Sequence, residues 1–212
     1  MGGNVSFILA LHKIMKKVLN IIAKKIIRNC IYIFCKVVYR AEAEGVENIP
    51  KDEPVIFCGN HKSLLDPPLM LATSKQDNAV FIAKDELRKV FVIRLLAKVY
   101  SAIYVKRDEK DVTALKEILK VLKNKKSIVI FPEGTRNGIA KGERVKDGAA
   151  FFAIKSGIKV LPFGISGGDK PFKKVKIKYG KPIDFSKYTD CKDKEAIKEV
   201  TDTIMEKIFE LT

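Results

Sequence analysis

Apolar and basic residues alternate at helical spacing through the first forty positions. With Lys13 set at zero on a helical wheel, Lys17, Asn20, Lys24 and Arg28 fall within about 60° of it at 100° per residue. Met15, Val18, Leu19, Ile22 and Ile26 gather on the opposite side, while Lys25 and Ile27 break the stripe. The pattern predicts basic amphipathic helices with a wide apolar face over residues 1–44. Such helices lie in a membrane interface; the alternative is packing on a domain core. No run approaches the ~18 apolar residues that a spanning helix needs. The longest patches are residues 5–11 and 30–35. A signal peptide fits poorly, because lysines interrupt the apolar part and no small-residue cleavage site follows. Met1-Gly2-Gly3-Asn4-Val5-Ser6 matches the N-myristoylation pattern, which is short enough to arise by chance.

Residues 41–53 read as a polar connection punctuated by Gly45 and Pro50. Beyond it the period changes. Short β-type runs at 55–58, 80–83, 102–105, 127–131, 160–165 and 175–179 alternate with helical stretches. The clearest helix spans 112–122, with Val112, Leu115, Ile118, Leu119 and Leu122 on one face. Another closes the chain, with Ile197, Val200, Ile204 and Ile208. Residues 86–99 and 145–156 read as helices between strands. Strands alternating with helices predict an α/β domain over residues 45–212, with a largely parallel sheet flanked by helices.

Composition narrows the partners. The chain has 212 residues and a net charge of +16. Half of that excess comes from Lys13, Lys16, Lys17, Lys24, Lys25, Arg28, Lys36 and Arg40, a stretch without one acidic residue. Such a surface attracts an anionic partner, either nucleic acid or acidic lipid. Cys30, Cys35, Cys58 and Cys191 lack metal-type spacing and read as buried thiols of a reducing compartment. Two scattered histidines cannot complete a zinc site.

Two clusters carry chemistry. Asn60-His61-Lys62-Ser63-Leu64-Leu65-Asp66 follows the apolar run 55–58, so it sits where a strand ends, and α/β active sites gather at such ends. His12 lies in the basic helix, which leaves His61 as the candidate general base. A carboxylate on its other ring nitrogen would make it a better one. Asp66 is five residues on, about 140° away on a regular helix, so the pair needs a turn. Pro67 and Pro68 suggest that a helix starts here, which gives Asp66 a second reading as N-cap with Pro67 at the first helical position. The other cluster, Phe131-Pro132-Glu133-Gly134-Thr135-Arg136, follows the run 127–130. Gly134 allows close backbone approach, and Arg136 can grip a phosphate with two parallel hydrogen bonds.

Together these clusters resemble the 1-acyl-glycerol-3-phosphate acyltransferase family. The segment 101–107, ending Lys106-Arg107, and the segment Val160-Leu161-Pro162-Phe163-Gly164-Ile165 are similar to two further blocks of that family. Ala83-Lys84-Asp85-Glu86-Leu87 and Tyr179-Gly180-Lys181-Pro182-Ile183 match flanking features, so the resemblance covers about residues 45–185. Position 101 carries Ser where Gly is commoner, and position 106 carries Lys rather than Asp, which weakens the inference for Arg107. The resemblance implies that His61 takes the proton of the free hydroxyl of lysophosphatidic acid, with Asp66 orienting the imidazole. The hydroxyl oxygen then attacks an acyl thioester without acylating the enzyme. It further implies that Lys84, Arg107 and Arg136 hold the phosphate and that Glu133, Gly134 and Thr135 shape the substrate pocket. No metal or redox cofactor is implied. The donor would be acyl carrier protein or coenzyme A thioester, and the location the cytoplasmic face of the cell membrane, as a peripheral or monotopic protein. Related enzymes acylate other lysolipids, including amino-acid-headed ones.

Two rivals are weaker. Gly164-Ile165-Ser166-Gly167-Gly168 fits the G-x-S-x-G pattern of serine hydrolases, but no histidine follows Ser166 and Pro171 argues against the required helix. A nucleic-acid-binding module rests on charge alone, without an aromatic-basic signature.

Overall fold

The computed structural model describes residues 2–106, 111–168, 170–189 and 193–212. A long helix, α1 (Gly2–Tyr39), leads into a short strand, β1 (Glu42–Glu44). There follow β2 (Ile56–Gly59), α2 (Asp66–Ser74), β3 (Val80–Lys84), α3 (Phe91–Tyr100), β4 (Ala102–Val105) and α4 (Val112–Lys123). The chain continues through β5 (Ile128–Ile130), α5 (Gly148–Ser156), β6 (Val160–Gly167), β7 (Val175–Tyr179) and α6 (Lys194–Phe209). The strands form one sheet of order β1-β7-β6-β2-β5-β3-β4, parallel throughout except for the β6–β7 pair.

The two-residue period of the central strands builds two cores. Ile56, Cys58, Ile128, Ile130 and Val160 face one side, against Ile118 and Leu122 of α4, Ala153 of α5 and Ile204 of α6. The intervening Phe57, Val129 and Leu161 face the other, against Cys35 of α1 and Leu69 and Met70 of α2. Central strands covered on both faces are apolar throughout rather than alternating. Phe57 is fully buried, and its burial contributes about 1.5–3 kcal/mol. Asp111 and Asp193 accept hydrogen bonds from the first turns of α4 and α6, from Ala114 N at 2.9 Å and Ala196 N at 2.6 Å.

Of the cysteines read as buried thiols, Cys35 and Cys58 are buried, Cys30 is exposed and Cys191 lies outside the described residues. Three expectations about the elements also change. The stretch 41–53 contains β1, which pairs in parallel with β7 although Glu42-Ala43-Glu44 has no apolar alternation. It is an edge strand, and its charges pair across the ladder, Lys174 with Glu42 at 2.7 Å and Lys176 with Glu44 at 2.6 Å. The single helix expected over 86–99 is instead a tight turn at Asp85–Lys89, then α3, with Val90 extended between them. Within that turn Arg88 pairs with Asp85 at 2.6 Å. The helix expected from 145 begins at Gly148, after Lys146 N has bonded to the Pro132 carbonyl at 2.8 Å.

Helix α1 is continuous, and its two halves differ. Every described side chain from Ile8 to Ile22 is exposed. From Ala23 onward, Lys24, Ile27, Arg28, Ile31, Cys35, Val38 and Tyr39 turn toward the domain. Arg28 pairs with Asp77 at 2.6 Å, and Lys24 Nζ donates to the Asp77 carbonyl at 3.0 Å. Half of the basic stripe read from the wheel therefore faces protein. Ile14, Val18, Ile22, Ile26, Ile33 and Val37 are left exposed. Among the described residues no helix is long and apolar enough to cross a membrane.

Candidate active site

Parallel order places the chemistry on one edge. β2, β5, β3 and β4 are consecutive parallel neighbours, so their carboxyl ends lie together. His61 follows β2, Phe131–Arg136 follow β5, Lys84 ends β3, and Lys106 follows β4. Two clusters about seventy residues apart in the chain thus meet because their strands are hydrogen-bonded to each other.

The His61 turn is held from several sides. Asn60 is buried, and its amide pairs with both backbone groups of Ile165: Nδ2 donates to the carbonyl at 2.9 Å, and Oδ1 accepts from the N–H at 2.7 Å. This tethers the end of β2 to β6 where the ladder stops. A Cβ at position 59 would sit 2.2 Å from the Phe163 ring, so only glycine fits there. The His61 ring stacks on Phe131 with centroids 4.4 Å apart. Its Nδ1 lies 2.9 Å from Asp66 Oδ2. Because an ionised carboxylate only accepts, Nδ1 carries the proton and the neutral ring keeps its lone pair on Nε2.

Asp66 is buried, and the same Oδ2 accepts from the backbone N–H groups of Lys62 at 2.6 Å and Ser63 at 2.8 Å. These bonds hold its carboxylate in the turn before α2. Leu65, not Asp66, occupies the N-cap position of α2, and Asp66 is the first helical residue. Its carboxylate turns back onto the preceding loop instead of capping its own helix. The five-residue spacing works because that loop folds into a turn, closed by Asp66 N donating to the Ser63 carbonyl at 3.2 Å.

Glu133 locks the two clusters together. Its buried carboxylate accepts from His61 N at 3.0 Å through Oε1 and from Ile139 N at 3.3 Å through Oε2. Asn137 N in turn donates to the His61 carbonyl at 2.6 Å. Glu133 therefore shapes the site from behind rather than by lining it. Gly134 takes a left-handed φ of 66° in the turn closed by its N–H to the Phe131 carbonyl.

A cavity of about 610 Å³ opens at this edge, bordered by His61, Lys84, Gly134, Thr135 and Arg136. Its walls are otherwise mostly apolar, from α2, α3 and α4 with Ile31 of α1. That volume falls in the usual range for small-molecule sites. The Thr135 hydroxyl is buried without a hydrogen-bond partner among the described residues. Lys106 and Lys146 also border the cavity. Lys146 carries no local sequence signal; a loop brings it back beside the second cluster. Arg107 lies outside the described residues. A smaller polar cavity of about 450 Å³ lies across the 61–66 turn and shares Leu64 and Arg136 with the first.

The nearby nucleophile candidates are unsuited. Cys58 is fully buried, and burial pushes its thiol pKa far up, which keeps it neutral. Ser166 lies within β6, which turns into an antiparallel strand rather than a helix, so no nucleophile elbow forms.

Residues 40–166 match the family described as Acyltransferase. The solved 1-acyl-sn-glycerophosphate acyltransferase PlsC of Thermotoga maritima superposes with a TM-score of 0.65 at 31% identity, covering 89% of this chain and 81% of that one. The chain belongs to the 1-acyl-sn-glycerol-3-phosphate acyltransferase family. The chloroplastic 1-acyl-sn-glycerol-3-phosphate acyltransferase of Arabidopsis thaliana is 31% identical over 167 residues, 77% of this chain and 45% of that protein. The enzyme of that name from Borreliella burgdorferi is 36% identical over 120 residues, 56% and 48% respectively. The chain thus spans about half the length of these curated relatives where it matches them. The family match contains both strand-end clusters and begins after α1.

Proposed function

We propose that the chain transfers a fatty acyl group from an acyl thioester to the free hydroxyl of 1-acyl-glycerol-3-phosphate, giving phosphatidic acid. The observation that carries this reading is the His61–Asp66 pair at 2.9 Å, with His61 on the border of a mostly apolar cavity with a cationic rim. His61 Nε2 takes the hydroxyl proton, and the oxygen attacks the thioester carbonyl carbon. The C–S bond breaks, and the imidazolium returns its proton to the departing thiolate. Asp66 stabilises that imidazolium and fixes the tautomer. The acyl hydrocarbon fits the apolar part of the cavity, and Arg136, with Lys84 and Arg107, holds the phosphate. The reaction as written uses no metal or redox cofactor. Coenzyme A and acyl carrier protein are both acidic donors that suit a +16 chain.

The acceptor is a lipid, so the site must reach a bilayer. The exposed Ile8, Leu9, Leu11, Ile14, Val18 and Leu19 of α1, interleaved with Lys13, Lys16 and Lys17, suit a helix lying in the headgroup boundary of a cytoplasmic membrane face. In this reading the outer half of α1 is the membrane-facing part, and the boundary expected at 44/45 moves inward, because the inner half of α1 packs on the acyltransferase domain and β1 belongs to its sheet. The test is an acylation assay with a panel of lysolipids, with and without phosphate, against both donor thioesters. Transfer to 1-acyl-glycerol-3-phosphate that disappears in His61→Ala is expected. Wild-type turnover in that variant would overturn the reading.

A further inference from the structure

Lys24, Arg28 and Ile31 lie along one side of α1, at helical spacings of four and three. A surface helix has no reason to turn two cations toward protein unless something there receives them. Asp77, in the turn between α2 and β3, does so. Its Oδ2 lies 2.6 Å from Arg28 Nη1, with both side chains largely sheltered, and its carbonyl accepts from Lys24 Nζ at 3.0 Å. The Tyr100 hydroxyl at the end of α3 donates to the Lys24 carbonyl, and the Lys24 ammonium sits 5.8 Å from the centroid of the Tyr100 ring. Burial lowers the Lys24 pKa, and the Asp77 charge opposes that effect. Ile31, one turn beyond Arg28, and Tyr100 both line the cavity that contains His61.

These contacts join two things that the sequence keeps apart. The helix with the exposed apolar face is also a wall of the reaction cavity, and only one rotation of α1 meets both demands. Rotated by a residue, about 100°, Arg28 would leave Asp77 and Ile31 would leave the cavity. Sheltered ion pairs contribute little net stability against apolar replacements, and their best-attested use is fixing register.

We propose that Arg28 and Asp77 are positioning residues: their ion pair fixes the rotation of α1 so that Ile31 completes the wall of the apolar cavity. Seating of the outer helix and the shape of the cavity are thereby one mechanical property. The proposed function enters only in taking the occupant of the cavity to be an acyl chain.

The test uses the full chain in detergent, which removes the contribution of membrane attachment. Binding of a fluorescent fatty acid, cis-parinaric acid, is measured beside the thermal midpoint and the kcat and KM of acyl transfer. Ile31→Trp, Arg28→Asp, Asp77→Arg and the Arg28→Asp/Asp77→Arg pair are compared with wild type. Ile31→Trp should weaken probe binding about tenfold with an unchanged thermal midpoint, because the ring fills the cavity from the α1 side. Each single charge reversal should raise KM more than it lowers kcat, and the reciprocal exchange should recover most of the loss. Wild-type probe binding in Ile31→Trp would overturn the proposal. So would reversals that lower the thermal midpoint without altering probe binding, or an exchange as impaired as the single variants. If the reversals fail to fold, the milder Arg28→Gln and Asp77→Asn are read the same way, and wild-type probe binding and KM in both would overturn the proposal. Absence of acyl transfer by the wild-type chain would count against the proposed function alone, since probe binding is read independently.

Discussion

Around His61, position is fixed by bonds between loops: Glu133 holds its N–H, Asn137 its carbonyl, Asp66 its ring and Phe131 its face. Along the outer half of α1, from Ile8 to Ile22, every described side chain is exposed. The first region can hold an imidazole in one orientation. The second can present a face to a fluid surface but cannot orient an atom. Chemistry and attachment therefore should fail separately, and variants in the two regions should leave different kinetic signatures.

The largest effect is expected at His61, the proposed base. His61→Ala should lower kcat by ~10²–10⁴-fold, both on vesicles and on detergent-dispersed substrate, with vesicle flotation unchanged. No second histidine is near: His12 lies on the exposed half of α1. Activity within a few fold of wild type would remove His61 from the mechanism and erase the contrast between the regions. Asp66→Asn comes next. An Asn oxygen can still accept from Lys62 and Ser63, so the turn should hold, but the imidazolium loses its counter-charge. Turnover should drop ~10²-fold or more while the thermal midpoint moves only slightly. A large fall in midpoint with proportionate loss of activity would make Asp66 a loop brace only.

A smaller and more selective effect is expected at the cavity rim. Arg136→Ala should weaken use of the phosphate-bearing acceptor by about 1.5–3 kcal/mol, the worth of a charge-assisted hydrogen bond. It should spare a lysolipid without phosphate. Lysine at that position should rescue only in part, because a point charge does not reproduce a two-pronged contact. Equal losses on both acceptors would assign Arg136 to structure, for which its position between the two cavities gives room.

The same two regions divide what was legible in the sequence. Both clusters at strand ends were readable because the apolar runs before them identify the strands and because side chains such as His61 and Arg136 have few roles there. Their meeting was not readable locally, since it depends on β2 pairing with β5. The Asn60 tether to Ile165 and the Glu133 bridge are likewise long-range bonds between segments with no shared pattern. Strand β1 escaped because an edge strand needs no apolar face. For α1 the wheel gave the stripe but not its partner. A basic residue near the boundary of an apolar face can meet lipid phosphate or a carboxylate of the same chain, and periodicity is blind to the difference. Asp77, some fifty residues away, decides it for Arg28.

That division yields the smallest and most discriminating prediction. Taken from the wheel alone, Lys13, Lys17, Lys24 and Arg28 form one stripe and should act alike on membranes. In the structure they split, since Lys13 and Lys17 are exposed while Lys24 and Arg28 turn to the domain. A basic residue near an anionic surface is worth about 1 kcal/mol, roughly fivefold in partitioning, and salt screens it. Lys13→Gln and Lys17→Gln should each weaken flotation with anionic vesicles by about that factor at low salt, and much less at high salt. Neither should alter turnover on dispersed substrate. Lys24→Gln should leave the salt dependence of flotation near wild type and act instead on KM, because its ammonium contacts the Asp77 carbonyl and the Tyr100 ring rather than lipid. Replacing Ile14, Val18 and Ile22 with Gln should reduce flotation at every salt concentration, since apolar burial is little affected by screening. If all four cations affected vesicle binding equally, the inner half of α1 would have to leave the domain at the membrane, and the helix would act there as one exposed face.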